Sequence, residues 1–385
     1  MHYICQMQLS VIILNYNVRY FLELCVLSVQ QAIQNLDAEI IVIDNNSSDD
    51  SCAMMEQHFP EIKLIENKEN FGFPKGNNIA VAEAKGEYIC ILNPDTVVAE
   101  DTFEKVLAFA KSKSDLGIVG CKLIDGTGNF LPESKRGIPT PWVAFTKIFG
   151  LYKFFPKSSL FNKYYTQYLD ENQTGKVAIL VGAFMVMKRE LYNELGGFDE
   201  NCFMYSDDID LSYRVLKKGK SNYYFHETTV IHYKGESTIR DHKYMKHFQE
   251  AMQFFYKKHF RKSVVFDWMM QIGSFVFSKI KKNQRHNRIF YPDETVIFTK
   301  ELITFQYVSA MLTYSKFDAL KVDTSINYEM VFDTQSFSFH EIINFMNAVK
   351  AKNISFKIFL PQSNFIIGSN HANDRGIITN LSKIA

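Results

Sequence analysis

Four carboxylates crowd one short segment: Asp199, Asp207, Asp208 and Asp210 all lie in GGFDENCFMYSDDIDLSYR, residues 196–214. Asp207 and Asp208 precede Ile209, Leu211, Val215 and Leu216, whose spacing predicts the buried face of a helix. One acidic residue in a first helical turn satisfies free backbone N–H groups and suits the helix dipole. Three carboxylates in four positions exceed that need, because like charges repel and only one can cap. Such crowding suits a bound metal ion, or a general base for a hydroxyl nucleophile. Asp210 and Arg214, four apart on the same helix, read instead as a structural pair.

The elements that must hold such a site are legible upstream. Strand signals at 9–14, 39–43, 62–65, 88–92 and 117–119 alternate with helical patterns at 20–33, 51–58, 75–84 and 101–110. Near-continuous apolar strands separated by helices predict an α/β fold, a mostly parallel sheet flanked by helices on both faces. Ligands of such sheets bind beyond the carboxyl ends of the strands. Polar clusters fall there: Asn15-Tyr16-Asn17, Asp44-Asn45-Asn46 and Asn93-Pro94-Asp95. Asp44 ends a buried strand, where a carboxylate is costly without partners; an Asx turn is the plain alternative. Residues 70–78 carry Gly72 and Gly76, which let backbone approach a ligand. No Gly-Lys-Ser/Thr follows them, so this is not a P-loop. Gly182-Ala183 places a turn poor in side chains where a substrate would approach.

Composition narrows the class. Apolar residues make up 46% and the formal charge is +1, so nothing draws the whole chain to nucleic acid. Residues 241–290 differ, with eleven Lys/Arg against three Asp/Glu. Trp268, Phe275 and Phe277 interleave there with Lys279, Lys281, Lys282 and Arg285. The stretch reads either as an amphipathic helix with a solvated basic face or as a contact for an anionic membrane surface. Six scattered cysteines without a CxxC pair predict reduced, buried thiols and a cytoplasmic setting. We expect no signal peptide, and the apolar run 264–277 is too short to span a bilayer.

Residues 126–176 show no clean period. Beyond them, 177–188 is strand-like, 220–233 looks like two short strands and 244–282 is helical. Strand signals at 295–298, 319–322, 330–333 and 355–360 with a helix at 339–350 predict a small α/β appendage. It carries no carboxylate cluster or phosphate loop, and Gly368-Ser369-Asn370 and 373–376 read as turns. A docking or acceptor-presenting role follows, dispensable for transfer itself.

Seven motifs stand in order: SVIILNYN (10–17), VIDNNSSDDS (42–51), NFGFPKGNNIA (70–80), ILNPDT (91–96), VGAFMVMKRE (181–190), the acidic segment, and HYKGES (232–237). Together they resemble the family-2 glycosyltransferases of GT-A fold, and most closely their bacterial rhamnosyltransferase branch. The likeness spans about residues 9–260. It implies a catalytic domain over 1–240, with a nucleotide-binding half (1–125) and an acceptor half (126–240), then a basic aromatic segment (241–290) and the appendage (291–385).

The resemblance also implies roles. Asn15, Asn17, Asp44, Asn46, Gly72, Asn77, Asn93, Asp95, Gly182 and Ala183 line the donor site, with Asp44 facing the base of the nucleotide. Asp95 matches the second acid of the family's DxD position and His232 its late histidine, so both are placed on Mg2+ or Mn2+. Asn93 stands where the first acid belongs, which weakens the metal set. Asp208 is the general base and Asp207 the runner-up. The implied enzyme is an inverting hexosyltransferase that moves a sugar from a dTDP, UDP or GDP donor to a saccharide or lipid-linked acceptor. It would work in the cytoplasm or peripherally at the inner face of the membrane, without nucleic acid. A nucleotidyltransferase is disfavoured because no triphosphate loop follows the first strand. An inactive nucleotide-sugar-binding partner of a polysaccharide-synthesis complex is the alternative that Asn93 favours.

Overall fold

The structure is a computed structural model. It describes residues 7–140, 142–143, 146, 154, 163–234, 242–260, 290–300, 311–314, 316–317, 323, 325–370 and 376–381. The aromatic and basic positions 264–285, the strand expected at 319–322 and residues 235–237 of the last motif lie outside the described residues.

The first strand, β1 (Leu9–Asn15), is buried at every position. Its alternate side chains serve two cores. Leu9, Val11 and Ile13 meet helices α1 (Arg19–Ala32), α2 (Ser51–His58) and α4 (Thr102–Lys111). Ile12 and Leu14 meet α3 (Gly72–Ala82), α5 (Arg189–Glu194) and α6 (Asp207–Lys217). Apolar residues on both faces of a strand demand cover on both sides, and helices supply it. The other strands of this sheet are β2 (Ala38–Asp44), β3 (Lys63–Glu66), β4 (Tyr88–Leu92), β5 (Thr96–Val97), β6 (Leu116–Ile124), β7 (Gly175–Val177), β8 (Phe184–Lys188) and β9 (Ser221–His232). The nine-stranded sheet runs β3-β2-β1-β4-β8-β6-β9-β5, with β7 on β9. Strands β3, β2, β1 and β4 are parallel, as the apolar runs predict, while β8 runs antiparallel between β4 and β6. The GT-A expectation of a mostly parallel sheet between helices holds.

Two local expectations need correction. Residues 220–233 form one long strand, because β9 follows β6 through register shifts that absorb its irregular pattern. Residues 177–188 split into β7 and β8, separated by the loop that carries Gly182 and Ala183.

A second sheet of six strands runs β11-β10-β12-β13-β14-β15, with β10 (Glu294–Phe298), β11 (Met311–Tyr314), β12 (Tyr328–Asp333), β13 (Ile354–Leu360), β14 (Phe365–Ser369) and β15 (Ile377–Asn380). Helix α8 (Phe339–Val349) begins with a capping box between Ser338 and Glu341. Gly368 and Ser369 belong to β14 and are not a turn. A Cβ at Gly368 would come within 2.2 Å of the Phe356 carbonyl oxygen, so the glycine permits close strand approach.

This appendage shares its core with the first sheet. Phe21, Leu24, Val97, Ile124, Ile231 and Tyr233 pack in one apolar cluster with Phe298, Phe332, Ile342 and Phe356. The carboxylate of Glu100 accepts the backbone N–H groups of Phe339 and His340 at 2.7 Å each, and so binds the first turn of α8. The two sheets are therefore one packing unit.

Candidate active site

The carboxyl ends of β1, β2 and β4 lie where the sheet topology puts a ligand. Asp44, 2% exposed, accepts from Asn15 Nδ2 at 2.7 Å, Ser47 N at 2.7 Å and Ser47 Oγ at 2.6 Å. The Asx-type turn is thus realised through Ser47. Asn17 adopts φ +56 and its Oδ1 accepts from Ser48 N at 2.7 Å, tying the first two loops together. Asn46, also left-handed at φ +61, is exposed beside them.

The glycine loop is closely packed. A Cβ at Gly72 (φ +77) would sit 2.7 Å from the Phe203 ring, and one at Gly76 2.3 Å from Leu14. Both glycines make room for protein side chains. Asn77 is fully buried and donates to the Phe73 carbonyl at 2.9 Å.

Asn93 N donates to the Ala183 carbonyl at 3.1 Å, which joins the turn after β4 to the Gly182-Ala183 loop. Gly182 N in turn donates to Asp208 Oδ2 at 3.1 Å. These bonds bring Asn93, Gly182, Ala183 and Asp208 into one neighbourhood. A Cβ on Gly182 would stand 3.5 Å from Asp208 Cβ and 3.7 Å from Asp207 Oδ2, so a larger side chain would crowd the paired aspartates. On the other side of Asn93, Asp95 Oδ1 lies 3.4 Å from His232 Nε2, with both residues buried.

Sequence reasoning missed Arg136. It is buried and donates to Asp208 Oδ2 at 2.5 Å and to the Leu180 carbonyl at 3.0 Å. Burial works against its charge, but Asp208 and Tyr164 outweigh that and hold the guanidinium firmly protonated. Lys234, two positions after His232, pairs with Glu133. Arg136 lies in the aperiodic stretch 126–176, where only its formal charge in SKRG marked it.

The acidic crowd divides in two. Asp199 and Asp210 anchor α7 (His242–His259): Lys258 reaches Asp199 at 2.5 Å and His259 reaches Asp210 at 2.6 Å. Asp210 also takes Arg214 at 2.7 Å, the pair expected from spacing. Phe255 and Tyr256 of α7 pack on Ile179 and Ile209. The described part of the basic aromatic segment is thus a helix packed on the catalytic domain.

Asp207 and Asp208 remain at the site. Burial, and then repulsion from Asp208, push the Asp207 carboxyl up from 3.8 to about 7. Below pH 4 both folded and unfolded chains carry this proton. As pH rises from there to about 7, the unfolded chain gives it up first, so native stability falls; above 7 the full penalty stands. Asp207→Asn should therefore raise Tm by roughly 3–6 °C at pH 8 and by almost nothing near pH 4. Thermal melts across that range check it, and an equal shift at both ends would refute the burial argument.

Residues 10–196 match the family described as Glycosyl transferase family 2. The chain carries a family-2 glycosyltransferase domain. This glycosyltransferase is 25% identical over 213 residues to the N-acetylglucosaminyl-diphospho-decaprenol L-rhamnosyltransferase of Mycobacterium tuberculosis, covering 52% of this chain and 68% of that one. It is 27% identical over 251 residues to the rhamnosyltransferase WbbL of Escherichia coli strain K12, covering 60% of this chain and 86% of that one. The mannosyltransferase PcManGT from Pyrobaculum calidifontis, solved in complex with GDP-Man and Mn2+, aligns over 72% of this chain and 75% of its own at 16% identity and a TM-score of 0.47.

Proposed function

We propose that this glycosyltransferase moves a sugar of the rhamnose class, with inversion, from a dTDP, UDP or GDP donor to a hydroxyl of a growing cell-envelope glycan or lipid-linked saccharide. The observation that carries the reading is the one-sided anchoring of Asp208. Arg136 and Gly182 N–H both bind Oδ2, while Oδ1 has no hydrogen-bond partner among the described residues. A carboxylate fixed through one oxygen and open at the other can receive a proton without moving. The acceptor hydroxyl gives its proton to Oδ1 as its oxygen attacks the anomeric carbon; the bond to the diphosphate breaks on the opposite face. One base and one displacement invert that carbon. The rhamnosyltransferase names of the two relatives support the sugar class.

A divalent cation fits Asp95 and His232. Asp95 Oδ1 is buried without a hydrogen-bond donor, and His232 Nε2 lies 3.4 Å from it, a spacing that two ligands of one cation can take. Among the described residues no three His, Cys, Asp or Glu side chains meet, so donor oxygens and water must complete the coordination. Mg2+ or Mn2+ held there would neutralise charge on the leaving diphosphate. No described helix is long and apolar enough to cross a membrane. Work at the inner membrane face, through 241–290, is part of the proposal. The inactive-partner reading is the weaker one, because Asp208 keeps its anchored geometry.

Calorimetric titration with dTDP, UDP and GDP, with and without Mn2+, tests the donor site. Asp95→Ala should weaken diphosphate binding at least ~10-fold and flatten the Mn2+ response. Equal wild-type turnover in excess chelator would overturn the metal assignment.

A further inference from the structure

A cavity of about 440 Å³ opens between helices α1 and α2 and the second sheet, and shares no residue with the candidate active site. One wall is the face of α1 that carries Glu23, Leu27 and Gln31, beside His58 at the end of α2. The other wall follows the carboxyl ends of β12 and β13, two parallel strands of the second sheet. Such edges, and junctions between sheets, are where small ligands bind, and the volume is in the usual range.

The floor of this cavity is fixed. Glu23 is 2% exposed; its Oε1 takes His58 Nδ1 at 2.7 Å and the Ser363 hydroxyl, and Arg19 stands 2.9 Å from Oε2. With Nδ1 committed to the carboxylate, the imidazole's Nε2 has no partner among the described residues. The side-chain amides of Gln31, Gln335 and Gln362 likewise show no hydrogen bond there, and the last two are exposed at the rim. An amide offers donors and an acceptor in one plane, and a sugar hydroxyl both gives and accepts. No Lys or Arg lines the cavity, and a carboxylate lies at its floor. That disfavours phosphate, nucleotide diphosphate and anionic lipid headgroups.

We propose that this cavity is a saccharide-binding site distinct from the catalytic one. It holds one or two neutral sugar units of the glycan that the enzyme extends. Only the source of the sugar rests on the transfer reading; the chemistry of the cavity does not.

The test uses the intact protein and calorimetric titration with L-rhamnose, N-acetylglucosamine and a rhamnose-containing disaccharide, with inorganic phosphate and dTDP as controls. Gln335→Ala with Gln362→Ala should weaken saccharide binding at least ~10-fold and leave dTDP affinity unchanged. Gln31→Ala, on the opposite wall, should give about half that effect in free energy and guards against a fold defect in the turns. Unchanged saccharide affinity in all three variants, no saccharide binding at about 20 mM, or phosphate binding lost with the glutamines would each overturn the proposal. A protein that binds saccharide through these glutamines but transfers none would sink the transfer reading alone.

Discussion

Asp208→Asn should abolish sugar transfer while nucleotide affinity stays within about twofold, a rate loss on the order of 10²–10⁴. In the proposed reading the carboxylate serves the acceptor; it is bound to Arg136 and Gly182 N–H and has no hydrogen bond to the ends of β1, β2 or β4. The amide keeps the shape and one acceptor oxygen but cannot take the proton. Donor-saturated turnover, alongside dTDP titration, separates the two effects. Arg136→Gln gives a sharper contrast. It leaves a buried carboxylate without its cation, which typically costs about 3–5 kcal/mol, so stability and rate should fall together. Wild-type turnover in Asp208→Asn would remove it from the base role. Asp207→Asn, if inactive in the same assay, would then identify its neighbour.

Removal of 291–385 should leave a catalytic domain that does not fold stably. The sequence suggested a dispensable appendage, but Phe21, Leu24, Val97, Ile124, Ile231 and Tyr233 all face its apolar core. Each large side chain re-exposed costs about 1.5–3 kcal/mol, and together they approach the ~5–15 kcal/mol that holds a typical domain. The shortened chain should aggregate, or lose its cooperative melt by circular dichroism. A soluble product with a sharp transition and wild-type dTDP affinity would contradict the shared core.

What was legible follows from periodicity. Strands β1, β2 and β4 are apolar runs flanked by helix signals, and their pattern alone predicts a covered parallel sheet. The acidic segment was visible as crowding, yet its division was not. Asp210 is satisfied by Lys258 and His259, close to fifty residues downstream, and no local pattern reports that pairing. Arg136 was hidden for a similar reason. It meets Asp208 across 72 residues, and an isolated bridge to Ile179 is its only regular backbone pairing. Gly368 reads as a turn in the sequence because glycine usually punctuates, whereas in the fold a neighbouring carbonyl forbids any side chain. The motifs marked where chemistry gathers; long-range ion pairs decided which carboxylates remain available to it.

Glu23 receives the hydroxyl of Ser363, 340 residues further along the chain, and this contact closes the first helix against one of the last turns. Synthesis proceeds at roughly 5–20 residues per second, so α1 waits on the order of 17–70 s for its partner. Through that interval the apolar face of Phe21 and Leu24 lacks the part of its cover that the second sheet supplies. The newborn chain thus carries an apolar helix face without its final cover for most of its translation.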